Sequence, residues 1–432
     1  MGRSRPSRGI WARLVGFRSA PPRLPQVRPP QTHVVLLDGT MSSLRRGYET
    51  NIGLTYRLLL GLPSDAPVTV YYEPGIQWRG LRRAHEVIAG IGINRQIRRA
   101  YLFLARNYRP GDRIILMGFS RGAYAVRSLA GLIDTMGLLR PAQVDEDTLD
   151  RVYDCYRHAP QSAEARALRA ARCHERVTVD FLGVYDTVRA LGIRWPILWR
   201  LLPMPHPFHS HILGPSVRAA RQALALDETR DVYAPVMWTC PPDDAAPRHV
   251  QQMWFRGTHG DVGGQIDGWS PARGLSNIPL VWMLQEAEAA GLPLPMVWRH
   301  RYVTDATAPS IGTFMGAGKY FLLRHRRHVG LDPSEYLHPS ARPAAVARGL
   351  TCPTRHPPRR PFQPERGRCR VARPAACAHD GGGRAGARRS RRHQETDHDL
   401  RRIARRVASA LRGSSGQGCL GYCARISLRT SA

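Results

Sequence analysis

The five residues Gly118-Phe119-Ser120-Arg121-Gly122 lie where a strand-forming run stops and a helical stripe begins. Ahead of them, Ile114–Met117 is a short apolar run of β-formers behind the turn pair Pro110-Gly111, which reads as a buried strand. Behind them, Ala123, Tyr124, Val126, Leu129 and Leu132 recur at helical spacing. A G-x-S-x-G match in a strand–turn–helix setting predicts a nucleophile elbow. A strand that turns at once into a helix crowds the backbone, so the positions flanking the serine must be small. The strained turn would present Ser120 Oγ outward at the positive end of the new helix. The plainer alternative is a strand–helix turn in which Ser120 only caps the helix.

The rest of the chain keeps the same rhythm. Strands are predicted at His33–Leu37, Val68–Tyr72, Val177–Val184 and His249–Phe255, with helices at Asn51–Leu60, Gly90–Asn107 and Leu275–Ala290. Val144–His174 is helical and charged. Strands alternating with helices at this spacing imply the α/β class: an α/β-hydrolase-like, mainly parallel sheet with helices on both faces. Three segments are expected: a disordered basic lead-in over 1–31, a catalytic domain over 32–342, and a basic low-complexity tail over 343–432, either disordered or frameshifted. Within the domain, the irregular apolar stretch 192–214, with Trp195, Ile197, Leu198, Trp199 and Leu201, reads as a lid or insertion.

Composition narrows the function less than its extremity suggests. The 432 residues carry a formal charge of +31, but a single lysine, Lys319, stands among the 64 basic residues. Arginine, alanine, glycine and proline dominate the sparse regions, as GC-rich coding would produce, so the charge argues only weakly for a polyanion. From residue 351 on, 19 arginines face 5 acids. No specific nucleic-acid partner is expected; contact with an anionic membrane surface is compatible with the charge. No apolar run has the length of a membrane span, and the N-terminal stretch has no signal-peptide core. That leaves a cytoplasmic location, or secretion without a cleavable signal. The eight cysteines show neither zinc spacing nor disulfide-scaffold density.

A nucleophilic serine needs a base, and the base an orienting acid. In the α/β-hydrolase order, Ser is followed by an acid and then His, each in a loop at a strand's carboxyl end. Asp186 directly follows the strand Val177–Val184, and His259 directly follows His249–Phe255. Such loops share one edge of an open α/β sheet, so the catalytic set predicted is Ser120, Asp186 and His259. Oxyanion donors are expected from the N–H of Arg121 and from the loop after the first strand, at Gly39 or Thr40. No cofactor and no metal are required.

Rival constellations use overlapping residues. A phosphatase start of the D-x-D-G-T type fails because Leu36 stands where the nucleophile should be. A phosphate loop over Gly312–Lys319 fails on spacing and on Tyr320 in place of Ser or Thr. A metal-dependent phosphoesterase built on Asp38, His259 and Asp261, with Asp186 as a further ligand, stays open, as does a basic binding protein for membrane or nucleic acid with an inert fold. His206, His209 and His211 lack an acidic partner nearby and read as solvent-facing or lid positions.

Several stretches occur together in a known order: LLDGT at Leu36–Thr40, Thr50-Asn51, YYEPGI at Tyr71–Ile76, GFSRGAY at Gly118–Tyr124, FLGVYDTV at Phe181–Val188, ALALDETR at Ala223–Arg230, GTHGDVGG at Gly257–Gly264 and LSNIPLVWM at Leu275–Met283. From about Gln31 to Ser340 the chain resembles the uncharacterised α/β-hydrolase-domain family that includes the type VI secretion phospholipase effectors of the first Tle class. The resemblance implies a Ser-Asp-His hydrolase acting on ester bonds, with lipid or phospholipid acyl esters as substrate and a secretion-apparatus or immunity protein as partner. It puts the triad at Ser120, Asp186 and His259. Departures from the pattern are Met41 where an aromatic is common, Arg189 where glycine is common, and Gly260 in place of the serine common after the histidine.

Overall fold

The computed structural model describes residues 28–75, 91–188, 213–240, 249–314, 318–319 and 321–350. Nearly all of the expected lid, residues 1–27 of the lead-in, and the tail beyond 350 lie outside these. Among the described residues seven strands form one sheet: β1 (Thr32–Leu37), β2 (Val68–Glu73), β3 (Arg113–Phe119), β4 (Phe181–Tyr185), β5 (Ala220–Ala225), β6 (Val250–Phe255) and β7 (Glu335–Leu337). Their order is β2-β1-β3-β4-β5-β6-β7, and every neighbouring pair is parallel. The strand order therefore reverses between β1 and β3. In open parallel sheets the crevice for ligands forms at such a switch point, outside the carboxyl ends of the strands.

The period of two along each strand divides the core in two. Val35, Leu37, Ile114, Leu116, Leu182 and Val184 point to one face. There they meet α2 (Ile91–Asn107), α3 (Arg121–Met136), α4 (Glu146–His158) and α5 (Ala163–Arg172) through Ile97, Leu104, Val126, Leu129, Val152 and Leu168. Val34, Leu36, Ile115, Met117, Phe181 and Tyr185 point to the other face. That face is covered by α1 (Asn51–Leu60) and α7 (Arg273–Ala289), the latter following the short α6 (His259–Gly263), through Ile52, Leu59, Leu275, Trp282 and Met283. Each fully buried Leu, Ile or Val contributes about 1.5–3 kcal/mol of transfer free energy, so two continuous clusters hold the sheet rigid between them. Cys155, Cys173 and Cys240 are buried in the first cluster.

Several boundaries differ from expectation. The strand expected at Val177–Val184 begins only at Phe181, because Val179 makes just an isolated bridge to Val217. The charged stretch 144–174 is two helices, capped separately by the Asp145 and Ser162 side chains. Arg28, inside the expected lead-in, pairs its guanidinium with Asp112. β5 and β7 have no counterpart among the expected strands. At the other end, α8 (Arg342–Ala347) buries Ala345 against Leu226 and Trp254, so the packed core runs past residue 342.

Candidate active site

β3 ends at Phe119, and Ser120 follows with φ 58° and ψ −118°, a left-handed conformation costly for a residue with a Cβ. The flanking glycines permit it. A Cβ on Gly122 would stand 2.2 Å from the Leu37 carbonyl oxygen, and one on Gly118 would stand 2.6 Å from the Gly122 carbonyl oxygen. The elbow is thus wedged against the end of β1. The Ser120 N–H donates to the Tyr185 carbonyl at 3.0 Å, which ties it to β4 as well. Ser120 begins α3, yet its side chain makes no capping hydrogen bond. The simple-cap alternative is therefore not what the hydroxyl does. Instead Ser120 Oγ lies 3.0 Å from His259 Nε2.

His259 opens α6, directly after β6, and three contacts fix that helix. Thr258 and Asp261 form a reciprocal capping box. Asn51 Nδ2, from the first turn of α1, donates to the Val262 carbonyl at 2.9 Å. Glu228 Oε2 accepts the His259 backbone N–H at 3.1 Å. The imidazole itself is stacked on the Tyr233 ring, with centroids 4.5 Å apart, and tilted against Phe119 at 4.8 Å. His259 Nδ1 lies 2.6 Å from Asp186 Oδ2. An ionised carboxylate only accepts, so Nδ1 carries the proton and Nε2 is left to accept from the Ser120 hydroxyl.

Asp186 leaves β4 with φ 40°, its backbone N–H bonded to the Ala223 carbonyl at 2.7 Å and its Oδ1 accepting from Ala225 N at 3.1 Å. It is fully buried. Burial alone would push its carboxyl up, but the charge of Arg327 and the bonds from His259 and Arg327 outweigh that and hold it well below the usual carboxylate range. Arg327 grips both oxygens, Nη1 to Oδ1 at 2.6 Å and Nη2 to Oδ2 at 2.9 Å.

The structure thus brings Ser120, His259 and Asp186 into one hydrogen-bonded row. The Arg121 N–H belongs to the first turn of α3, where backbone donors have no intrahelical acceptor. Of the two candidates after β1, Gly39 is the poorer, because its N–H donates to Asp38 Oδ1 at 2.7 Å. Thr40 keeps a buried hydroxyl with no partner among the described residues. Asp38 and Asp261, the rival metal ligands, are each engaged elsewhere. Asp38 accepts from Gly39, Thr50 and Tyr72, and Asp261 from Thr258, Ser310 and Ile311. Among the described residues no group of three His, Cys, Asp or Glu side chains is arranged to hold a metal ion.

Sequence reasoning missed Arg327, Glu228 and Tyr233. Glu228 had a trace, lying in the ALALDETR stretch; Arg327 lay inside a basic run indistinguishable from the arginine background.

Against known proteins, the family described as "T6SS, Phospholipase effector Tle1-like, catalytic domain" matches residues 31–286. An uncharacterized protein of Saccharomyces cerevisiae is 29% identical over 234 residues, covering 48% of this chain and 33% of its own length. The chain therefore matches about a third of that relative. Among solved structures, an uncharacterized protein from Pseudomonas aeruginosa aligns with TM-score 0.36 and 17% identity, over 64% of this chain and 49% of that one. A Tle1 effector bound to the VgrG spike of the type 6 secretion system aligns with TM-score 0.29 and 19% identity, over 55% of this chain and 52% of that one.

Proposed function

The chain belongs to the Tle1-like phospholipase effector catalytic-domain family, and from that premise we propose that it is a serine hydrolase cleaving lipid or phospholipid acyl esters through an acyl-enzyme. The observation that carries this reading is the row Ser120 Oγ–His259 Nε2 at 3.0 Å and His259 Nδ1–Asp186 Oδ2 at 2.6 Å, starting from an elbow serine. In the reaction, His259 Nε2 takes the hydroxyl proton as Ser120 Oγ attacks the ester carbonyl. The carbonyl electron pair moves onto its oxygen, which is met by the backbone N–H groups of Arg121 and Thr40. Collapse of the tetrahedral intermediate expels the alcohol, which leaves with the proton from His259. Water then repeats the sequence on the acyl-enzyme and releases the fatty acid. Asp186 keeps the proton on Nδ1 throughout and stabilises the imidazolium between the two transfers.

Family membership extends the proposal to delivery by a secretion apparatus, with a spike or immunity protein as partner. The chemistry is tested first. The wild-type protein should label with a fluorophosphonate probe and release fatty acid from phospholipid vesicles. Ser120→Ala should stay folded, lose the label, and lose hydrolysis by about a thousandfold or more. A folded wild type that never labels would sink the reading.

A further inference from the structure

Arg327 stands outside the predicted catalytic set, yet the carboxylate of Asp186 is bound more fully by Arg327 than by the histidine it serves. Its guanidinium makes four hydrogen bonds: two to Asp186, one to the Ala225 carbonyl at 2.8 Å and one to the Tyr233 carbonyl at 2.6 Å. Those acceptors come from the end of β4, the end of β5, and the segment whose tyrosine ring stacks on His259. The side chains of Arg327 and Asp186 are 5% and 0% exposed, so the pair is screened little by solvent. A buried carboxylate with a single imidazole neighbour is poorly compensated for its lost hydration, whereas a bidentate guanidinium supplies charge and geometry together.

Resting on the hydrolase reading above, we propose that Arg327 is a positioning residue of this site, holding the Asp186 carboxylate ionised and aimed at His259 Nδ1. It does so through Asp186 and touches no reacting atom. The consequence is acid tolerance. With Arg327 in place the carboxylate keeps its charge far into acid. Without it, burial is opposed by the Ala225 N–H on Oδ1, by His259 and by the more distant Arg230, which is itself paired with Glu228. Asp186 would then take up a proton at a higher pH and cease to hold the histidine proton.

The experiment measures kcat and kcat/KM against pH on a soluble short-chain aryl ester, with the full-length wild type, Arg327→Met, Arg327→Lys and Ser120→Ala. For Arg327→Met the acid limb should move up by about one pH unit or more, with kcat falling and KM little changed. Arg327→Lys keeps the charge but loses the fork, so its limb should stay near the wild-type position while kcat drops. Two folded variants with the wild-type limb and wild-type kcat overturn the proposal. Should Arg327→Met fail to fold, the lysine variant decides alone: wild-type kcat there overturns it. Loss of the hydrolase reading looks different, since wild type and Ser120→Ala would then be equally inactive at every pH.

Discussion

Ser120 and Asp186 carry positive φ angles of 58° and 40°, and neither is glycine. Each such position costs about 1–3 kcal/mol and persists only because the surroundings over-determine it. At Ser120 the surroundings are Gly118, Gly122 and the Tyr185 carbonyl; at Asp186 they are the Ala223 carbonyl and the Arg327 fork. The strain at the elbow predicts a trade between stability and activity. Ser120→Gly removes the Cβ responsible, so it should be more stable than Ser120→Ala by about 1 kcal/mol while equally inactive. Thermal or urea denaturation of the two variants checks this, and equal stabilities would mean the turn is relaxed. Glycine placement around the serine could be read from the sequence, since small flanks are a steric demand of the turn itself. The positive φ at Asp186 could not, because nothing local to Val184-Tyr185-Asp186 requires it.

At the level of elements, the loop after β1 and the start of α1 are joined through one buried acid. Thr50 caps α1 by accepting from Gly53 N, and the same hydroxyl donates to Asp38. Burial pushes the Asp38 carboxyl up to about 6, although Thr50, Gly39, Tyr72 and Ser42 all pull it down. Its pKa in the folded chain thus lies above the ordinary unfolded value near 4, and the folded state binds the extra proton between the two. Stability from this group is therefore greatest below about pH 4 and falls as pH rises toward 6, by an amount on the order of 3 kcal/mol. In Asp38→Asn that part of the slope should vanish; denaturation curves at pH 4, 5, 6 and 7 for both proteins measure it. A variant with the wild-type slope would assign the titration to another group. Elements also explain the strand that sequence reasoning passed over. Residues 220–225 read ARQALA, a set of good helix formers with no β-branched member. They form a strand because Arg221 meets Glu286 of α7 at 2.6 Å on one face, while Gln222 bonds Thr187, Gln252 and the Val236 carbonyl toward the other. Tertiary partners overrode propensity there.

For the whole molecule, an all-parallel sheet with its order reversing between β1 and β3 gathers the loops after β1, β3, β4 and β6 at one edge. That is where Thr40, Ser120, Asp186 and His259 stand. The described core closes at α8 and Leu350, through Ala345, Arg348 and Leu350 itself. We propose that the domain includes α8 rather than ending at residue 342. A chain stopped after Leu350 keeps α8 and should melt at a higher temperature than one that lacks it. One stopped after Ala341 should lose stability by about 2 kcal/mol or more, as α8 no longer covers Trp254. Parallel melts of the two truncations decide between the boundaries. Among the described residues no helix is long and apolar enough to cross a membrane.

Taken by itself, the sequence determined whatever depends on a few neighbouring residues: the apolar periods that make β1, β3, α1 and α7, and the small residues that let Ser120 turn. These are steric and hydrophobic demands, satisfied within about ten residues of where they arise. Only the tertiary structure decided which polar groups meet across the sheet edge. In a chain with 64 basic residues, nothing local distinguishes the arginine that grips Asp186 from those that face water. The bond from the His259 N–H to Glu228 is likewise made only in the folded chain. Such pairings are made between loops brought together by strand order, and their strength comes from the burial that only the folded chain provides.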